Sequence, residues 1–275
     1  MTVDSALRIA AIQMNCGNDL ERNFELIDQL LGEASRRGVK LALLPENSVF
    51  IGALDEDKVA LAEEPGAGPI HDFLGSVAIR HRLWVVAGSL PLRSGFAGRC
   101  YGASVAFDDQ GQVQATYRKI HLFDVDVPDG HEHYRESATM ACGDEPVTVN
   151  TPAGRLGLTI CYDLRFPELY RKLVDDGATV FTVPAAFTEV TGQAHWRSLL
   201  RARAIENLAY VVAAAQHGSH PNGRRTYGHS MIVDPWGRVL AEQAAGDGVV
   251  DAVIDISRPA TLRRVFPVLS HRRIE

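Results

Sequence analysis

Residues 154–184, GRLGLTICYDLRFPELYRKLVDDGATVFTVP, constrain the fold of this chain more than any other stretch. An apolar strand-like run, LGLTI, ends in a turn. A charged helical segment follows, with Pro167 at its start and Gly177 at its end, the residue types that favour those positions. A second apolar run, ATVFTVP, comes next. Two apolar strands with a helix between them are typical of an α/β sheet covered on both faces, so the segment predicts an α/β fold.

The rest of the chain also alternates strands with helices. Before residue 100 the pattern predicts two amphipathic helices, DLERNFELIDQLLGEASRRG and GPIHDFLGSVAIRHR, and three strands, LRIAAIQM, VKLALLPE and LWVVAGSLP. Turn residues between strand-like runs predict hairpins around 108–111, 152–154 and 234–237. This mixture predicts a mixed sheet or two sheets stacked between helical layers. No repeat or flexible linker divides the chain, so we expect a single domain over residues 1–275.

Charge and cysteine content narrow the class of function. A net charge of −6 without a basic block argues against nucleic acid and anionic membranes as partners. The four cysteines, Cys16, Cys100, Cys142 and Cys161, form no closely spaced pair, so neither a disulfide framework nor a zinc ribbon is expected. We find no secretory signal and no apolar run long enough to span a membrane. These features predict a soluble protein of the reducing cytoplasm.

Cys161 is the first candidate for a catalytic residue because of its position in this pattern. It follows the C-terminal end of a strand and precedes a helix, which is where ligands gather in α/β sheets. A helix N-terminus nearby lowers the pKa of a thiol. Position alone leaves two interpretations open, a catalytic nucleophile or a buried and inert cysteine, and the second is the commoner fate of a free thiol.

Two charged residues end other strand-like runs. Glu46 ends the apolar run in LALLPEN, where a buried carboxylate is unfavourable unless it has a partner or a function. Lys119 ends a run in TYRKIHLF and has apolar neighbours. Either could instead be a strand-end charge that reaches water. A thiol nucleophile needs a base or a cation beside it, so both are candidates to act with Cys161.

Three segments, LLPEN, YRKIHLFD and ICYDLRFPELYR, resemble in this order the signature segments of the nitrilase, or carbon–nitrogen hydrolase, superfamily. The resemblance extends over essentially the whole chain. It implies a four-layer α-β-β-α sandwich with two mixed sheets, in a homodimer or higher homo-oligomer whose sheets continue across the subunits. It also implies a catalytic triad of Glu46, Lys119 and Cys161. Glu136 matches a second glutamate of the family, and Glu132 is its competitor. No metal or organic cofactor is implied.

The chemistry of such a triad explains its residue types. Glu46 is expected to take the proton of the Cys161 thiol, and the thiolate then attacks an amide carbonyl. Lys119 and the backbone N–H of Tyr162 would stabilise the tetrahedral oxyanion. Glu46 would protonate the departing amine and then activate the water that hydrolyses the thioester. Glu136 is expected to orient Lys119 or the substrate.

The residues after the cysteine resemble the small amidases of the Nit group. The segments AAAQHGSH and YGHSMIVDPWG are most similar to members that hydrolyse deaminated glutathione to 2-oxoglutarate and cysteinylglycine. Members that hydrolyse 2-oxoglutaramate are the alternative. Both substrates are small anionic amides, so the resemblance implies a cation that binds a carboxylate.

Several residues are candidates for contacts with that substrate. Arg165 follows the nucleophile closely and is the first candidate for the cation, although a structural ion pair would explain it equally well. Phe187 would line the pocket or pack in the core. Arg224 and Arg225 could reach the peptide-like end of a longer substrate, but a solvated loop is the simpler interpretation.

Three rival interpretations stay open. His121, His131 and His133 lie in an acidic loop that could be a metal site, although such histidines are usually only solvated. A thiol enzyme of the papain type would use a histidine as its base. A catalytically silent member of the family would act only as a binding module, and the complete set of Glu46, Lys119 and Cys161 argues against that.

Overall fold

The computed structural model describes residues 5–127 and 132–274. The strands in these ranges, in chain order, are β1 (Ala6–Gln13), β2 (Leu41–Leu43), β3 (Trp84–Arg93), β4 (Cys100–Phe107), β5 (Val113–Arg118), β6 (Asp124–Asp126), β7 (His133–Arg135), β8 (Met140–Ala141), β9 (Val147–Thr151), β10 (Gly154–Leu158), β11 (Val180–Ala185), β12 (Tyr210–Ala215), β13 (His217–Ser219), β14 (Arg225–Tyr227), β15 (Ser230–Val233), β16 (Val239–Gln243) and β17 (Gly248–Asp255). The α-helices are α1 (Leu20–Arg36), α2 (Asp57–Ala60), α3 (Pro69–His81), α4 (Pro167–Asp175), α5 (Glu189–Thr191), α6 (Arg197–Asn207) and α7 (Arg258–Val265).

Two large mixed sheets contain most of these strands. The first has the order β17-β1-β2-β3-β4-β5, with β8 beside β4, and the second has the order β16-β15-β12-β11-β10-β9. Strands β1 to β3 run parallel at the centre of the first sheet, and β10 to β12 run parallel at the centre of the second. Antiparallel strands flank both groups. The prediction of two mixed sheets is therefore confirmed.

The sheets pack face to face, and helices cover their outer faces. Ile9 of the first sheet and Leu158 of the second belong to one buried apolar cluster. Helix α4 contributes Leu173 and helix α6 contributes Leu200 to the same cluster, while Leu31 of α1 belongs to a second cluster on the far side of the first sheet. Full burial of such a side chain contributes about 1.5–3 kcal/mol. The layers follow the predicted α-β-β-α order.

Local sequence signals account for the ends of the elements. Helix α1 begins after Asp19, whose side chain accepts a hydrogen bond from the N–H of Arg22 at 3.1 Å. It ends just before Gly38, which has the positive φ of +79° that favours glycine. The three predicted hairpins join β4 to β5, β9 to β10 and β15 to β16. Within the described ranges, no helix has both the length and the hydropathy that crossing a membrane requires.

Candidate active site

Four of the predicted site residues converge where strands of the two sheets end. Glu46 lies shortly after β2, and Cys161 lies shortly after β10, so both follow the C-terminal ends of central parallel strands. Lys119 directly follows the last residue of β5. Glu136 begins a short 3-10 helix, Glu136–Ala138. The sheets bring these residues together although 115 positions separate Glu46 from Cys161 in the sequence.

Lys119 is held between two glutamates. Its Nζ donates hydrogen bonds to Glu46 Oε1 at 2.8 Å and to both carboxylate oxygens of Glu136, at 2.8 and 2.9 Å. The side chains of Lys119 and Glu46 are 2% and 6% exposed, so water screens their ion pair little. Glu132 instead accepts a hydrogen bond from the hydroxyl of Tyr134. Of the two candidate glutamates, Glu136 is therefore the one that contacts Lys119.

The charges of this cluster stabilise each other. Burial alone would lower the pKa of Lys119, but the carboxylates of Glu136 and Glu46 raise it above its ordinary value. Burial alone would raise the pKa of Glu46, but Lys119 lowers it below its ordinary value. Lys119 is therefore protonated and Glu46 is ionised at neutral pH.

Cys161 occupies a left-handed turn between β10 and α4. Its φ is +47°, which is uncommon for a residue other than glycine. A 3-10 helix, Cys161–Arg165, separates it from the first residue of α4. Burial, followed by the charge of the nearby Glu46 carboxylate, raises the pKa of Cys161 well above its ordinary value. Burial and the carboxylate therefore outweigh any lowering of this pKa by a nearby helix N-terminus.

Backbone contacts fix the orientation of Glu46. Its Oε2 accepts a hydrogen bond from the N–H of Ala186 at 2.9 Å, and its carbonyl accepts one from Gln216 Nε2 at 3.0 Å. Gly88 of β3 allows the chain before Glu46 to approach, because a Cβ there would lie 2.2 Å from the carbonyl oxygen of Pro45. One oxygen of Glu46 thus faces Lys119, and the other is bound by the end of the second sheet.

The buried Asp163 connects the turn that carries the cysteine to the strand that precedes the lysine. Its Oδ2 accepts hydrogen bonds from the N–H of Ile160 and the hydroxyl of Tyr117, both at 2.8 Å. Its Oδ1 accepts one from the N–H of His121 at 3.2 Å and lies 2.7 Å from His121 Nδ1. The side chain is 0% exposed. Sequence reasoning missed Asp163, and its place two residues after the cysteine was the available signal.

Replacing Asp163 with asparagine should lower both stability and activity. An amide nitrogen would face at least one of these buried donors, and an unsatisfied buried group reduces the free energy of unfolding by about 1–3 kcal/mol. Urea unfolding measures the loss, and kcat should fall with it because the turn at Cys161 loses its support. The exposed Asp109 provides the matched control, since D109N should change neither. An unchanged unfolding free energy in D163N would contradict this role.

A cleft of about 560 Å³, including its open mouth, lies beside Cys161. Aromatic rings form much of its wall. The ring centroid of Phe123 lies 5.0 Å from those of Tyr134 and Tyr162. Phe187 also lines the cleft, and its centroid lies 4.9 Å from that of the buried Trp196, so this residue belongs both to the cleft and to the core.

Arg165 lines the cleft and, in the part of the chain that the structure describes, forms no ion pair with a carboxylate. Its guanidinium lies 5.1 Å from the ring centre of Phe187 and 5.9 Å from that of Tyr162. Its Nη1 lies 3.2 Å from His195 Nδ1. Burial lowers the pKa of Arg165. Of the two interpretations of Arg165, the contacts therefore favour a ligand-binding cation over a structural ion pair.

Arg224 also lines the cleft, so its interpretation as a solvated loop residue is wrong. Its guanidinium hydrogen-bonds the carbonyl of Ala186 and lies 5.0 Å from the ring centre of Tyr134. Its neighbour Arg225 is 63% exposed and pairs with Glu189 at 2.7 Å, as a solvated residue does. The two arginines differ because Arg224 precedes β14 and Arg225 is its first residue, and successive side chains along extended backbone point in opposite directions.

The described residues of the histidine-rich loop do not bring metal ligands together. His121 contacts Asp163, and His133 Nδ1 lies 2.8 Å from Asp126 Oδ1 on the surface. His131 lies outside the described residues. Across residues 5–127 and 132–274, no three histidine, cysteine, aspartate or glutamate side chains form a group that could hold a metal ion.

The chain is similar to known proteins over nearly all of its length. A sequence model described as carbon-nitrogen hydrolase matches residues 8–264. A deaminated glutathione amidase from Synechocystis sp. is 44% identical over 266 residues, which cover 96% of this chain and 97% of that protein. The crystal structure of the C. elegans NitFhit protein gives a TM-score of 0.90 at 41% identity, covering 98% of this chain and 65% of that one.

An amidase from Nesterenkonia sp. AN1 has the same fold. Its structure gives a TM-score of 0.78 at 27% identity, covering 94% of this chain and 99% of that one. In that structure, a glutamate-to-glutamine mutant, acrylamide has undergone Michael addition at the active-site cysteine. Together with the family match and the relative at 44% identity, this likeness supports one assignment. The chain belongs to the carbon–nitrogen hydrolase family, whose members include amidases, and is an amide-hydrolysing enzyme.

Proposed function

We propose that this enzyme cleaves its amide through a thioester on Cys161, with Glu46, Lys119 and Glu136 as the other catalytic residues. The observation that carries the proposal is the buried cluster at the strand ends. In it the neutral thiol of Cys161 lies near the Glu46 carboxylate, and Lys119 lies between the two glutamates. The active-site cysteine of the related Nesterenkonia amidase supports the assignment of a cysteine nucleophile.

The reaction begins when Glu46 takes the proton of the Cys161 thiol and the thiolate attacks the amide carbonyl carbon. Lys119 and the N–H of Tyr162 stabilise the negative charge on the carbonyl oxygen, and one such donor contributes about 10²–10³ in rate. The C–N bond breaks as Glu46 returns the proton to the amine, which leaves a thioester on Cys161. Glu46 then deprotonates a water molecule that hydrolyses the thioester, and the thiol is restored.

Glu136 keeps Lys119 charged and in place during this cycle. When Glu46 carries the proton, Lys119 loses one of its two anionic partners. The two hydrogen bonds from Lys119 to Glu136 do not involve Glu46, so they provide the remaining anionic partner at that stage. Glu136 is fixed in turn, because its Oε2 accepts a hydrogen bond from the N–H of Phe123 at 2.6 Å. The ammonium group therefore remains available for the oxyanion.

We propose deaminated glutathione as the substrate, with 2-oxoglutarate and cysteinylglycine as the products. The name of the relative that is 44% identical supports this choice. The cleft supports it too, since Arg165 is a cation in contact with two aromatic rings and suits the carboxylate of the oxoacid. Phe187 and Tyr162 would pack against the aliphatic part of the same acyl group.

A comparison of two substrates tests this choice. Deaminated glutathione and 2-oxoglutaramate share the acyl group and both release 2-oxoglutarate, so one assay of that product measures both. We expect kcat/KM to be at least about tenfold higher for deaminated glutathione, since a larger bound leaving group adds binding energy in the transition state. C161A is the control for background hydrolysis. Faster hydrolysis of 2-oxoglutaramate would overturn the choice of substrate.

A homodimer with sheets that continue between subunits remains part of the proposal. Exposed apolar side chains gather near α7: Ile205 is 45%, Trp236 53% and Phe266 48% exposed. The ring centroids of Trp236 and Phe266 lie 5.6 Å apart. Such a patch supports a subunit interface, and a molar mass of one subunit in sedimentation experiments would contradict the homodimer.

We also propose the reducing cytoplasm as the compartment of this enzyme. Its four cysteines are free, as is usual for proteins of that compartment.

A further inference from the structure

We propose that Arg224 binds a carboxylate on the departing amine, so that this enzyme selects amides whose leaving group carries a negative charge. This inference rests on the proposed function and deepens it. It assigns two of the cations that line the cleft to opposite sides of the scissile bond, with Arg165 on the acyl side and Arg224 on the amine side.

Arg224 has hydrogen-bonding capacity that its protein contacts do not use. Its guanidinium donates to the carbonyl of Ala186 and lies 5.0 and 5.9 Å from the ring centres of Tyr134 and Phe123. Its Nε is buried and, among the described residues, has no hydrogen-bond partner. Those same residues include no carboxylate in an ion pair with it. A buried donor of a charged group without a partner is unfavourable, so an anionic ligand fits this position.

The backbone N–H and carbonyl of Ala186 indicate on which side of the scissile bond Arg224 lies. The Ala186 N–H donates to Glu46 Oε2 at 2.9 Å, and the Ala186 carbonyl accepts from Arg224. The guanidinium and the Glu46 carboxylate therefore contact the two polar groups of one residue. Glu46 is the group that protonates the departing amine in the proposed mechanism. Arg224 consequently lies beside the amine and its substituents.

Arg165 contacts a different set of cleft residues from Arg224. It belongs to the same 3-10 helix as Cys161 and Tyr162, and its guanidinium lies near the rings of Tyr162 and Phe187. Tyr162 provides the N–H for the oxyanion in the proposed mechanism. These contacts place Arg165 beside the acyl group, whose carboxylate is present in every 2-oxoglutaryl amide.

Three further charged residues line the cleft, namely Asp55, Lys58 and Arg135, and Arg135 pairs with Asp126. Asp55 is 62% exposed, and its carboxylate lies 3.9 Å from Lys58 Nζ. The exposed carboxylate is screened by water and partly balanced by Lys58, so it does not cancel the attraction of the half-buried Arg224. An anionic amine such as cysteinylglycine carries its carboxylate several bonds from the scissile nitrogen, so this carboxylate can bind Arg224 while the scissile bond lies at Cys161 in the same cleft.

The experiment measures the activity of three enzymes on each of three substrates. The enzymes are wild type, R224Q and R165Q, and kcat/KM is measured from the release of 2-oxoglutarate. The substrates are deaminated glutathione, its C-terminal glycinamide, which lacks the negative charge on the amine side, and 2-oxoglutaramate. R225Q is the matched control at the neighbouring exposed position and should behave as wild type.

We expect R224Q to lower kcat/KM for deaminated glutathione by roughly 10–100-fold more than it lowers kcat/KM for 2-oxoglutaramate, which is the effect of one hydrogen-bonded charge pair on the amine side. For wild type, kcat/KM should be lower for the glycinamide than for deaminated glutathione by a similar factor. For R224Q, kcat/KM should be about the same for these two substrates. R165Q should lower kcat/KM for all three substrates by similar factors. R224K should retain part of the preference, since it keeps the charge but loses the planar donors.

Two results would overturn this inference without overturning the proposed function. An equal loss on all three substrates in R224Q would show that Arg224 acts through Ala186 and Glu46 rather than on the leaving group. Equal wild-type rates on the acid and the glycinamide would show that the charge is not recognised, and this measurement needs no variant that must fold. If wild type hydrolyses only 2-oxoglutaramate, the proposed substrate fails and the inference fails with it.

Discussion

Replacing Glu46 with glutamine should reduce amide hydrolysis by about 10²–10⁴-fold, the usual contribution of a general base, while making Cys161 easier to ionise. The two effects have one cause. The carboxylate accepts the proton of the thiol during attack, and in the resting enzyme its charge opposes formation of a second anion beside it. A variant that reacts faster with an alkylating agent yet hydrolyses amides far more slowly would separate these two roles.

The direction of the pKa change follows from the groups around the thiol. Burial and Glu46 raise the pKa of Cys161, whereas Lys119 and Arg224 lower it. E46Q removes one of the raising contributions and leaves both cations in place. The pKa of the thiol therefore falls relative to wild type, and the thiolate fraction at a fixed neutral pH increases.

The measurement needs a background in which only Cys161 reacts. Cys142 is exposed, so C142S is introduced into every variant. Cys16 and Cys100 are buried, and burial raises the pKa of Cys100 to about 11, so both stay unreactive at neutral pH. The rate of alkylation by iodoacetamide is then followed against pH, with C161A as the control. Hydrolysis by E46Q within tenfold of wild type would point to another base, such as the histidine of a papain-like enzyme.

The parts of the fold that depend on local patterns could be predicted from the sequence. Helix α1 has apolar residues at helical spacing between an Asp19 cap and Gly38, and these local signals place both ends. The apolar run VKLALLPE is longer than the strand it forms, Leu41–Leu43. The apolar residues at its ends are buried without being paired in the strand. The sequence pattern alone does not distinguish burial from strand pairing.

The same distinction applies to the candidate site. Residues marked by local sequence patterns could be predicted, and residues defined by long-range contacts could not. Glu46, Lys119 and Cys161 could be selected because each follows the end of a strand within three residues and because three signature segments occur together. Asp163 and Arg224 could not, because their contacts join residues far apart in the chain, such as Tyr117 with Asp163 and Ala186 with Arg224. In the polar segment PNGRRT nothing distinguishes the arginine that turns into the cleft from the one that faces water.

Replacing Lys119 with methionine should remove hydrolysis and also destabilise the protein by about 3–5 kcal/mol at neutral pH, the usual effect of removing one partner of a buried ion pair. The Lys119 side chain is 2% exposed, and its Nζ lies 2.8 Å from a carboxylate oxygen of Glu46 and of Glu136. Methionine fills much of the same volume but leaves the two carboxylates without the cation between them. Loss of the oxyanion donor alone should lower kcat by about 10²–10³.

The destabilisation should depend on pH. In wild type, Lys119 holds the pKa of Glu46 below its ordinary value, so this group stabilises the fold above the unfolded-state pKa of about 4.3 and loses that contribution as the pH falls. In K119M burial is no longer opposed by Lys119, and the folded-state pKa of Glu46 rises above the unfolded value. Its contribution is then lost as the pH rises. The difference between K119M and wild type should therefore be larger at pH 7 than near about pH 4.

The double variant E46Q/K119M distinguishes unpaired charge from lost packing. It removes one carboxyl group together with the cation, so Glu136 alone remains where K119M has two unpaired carboxyl groups. We expect urea unfolding to show the double variant to be more stable than K119M at pH 7, while hydrolysis remains absent in both. Such coupling is expected for residues in one network and not for independent sites. If the double variant is no more stable than K119M, the loss arises from packing around the methionine, and the mutual stabilisation of these charges is much weaker than their distances indicate.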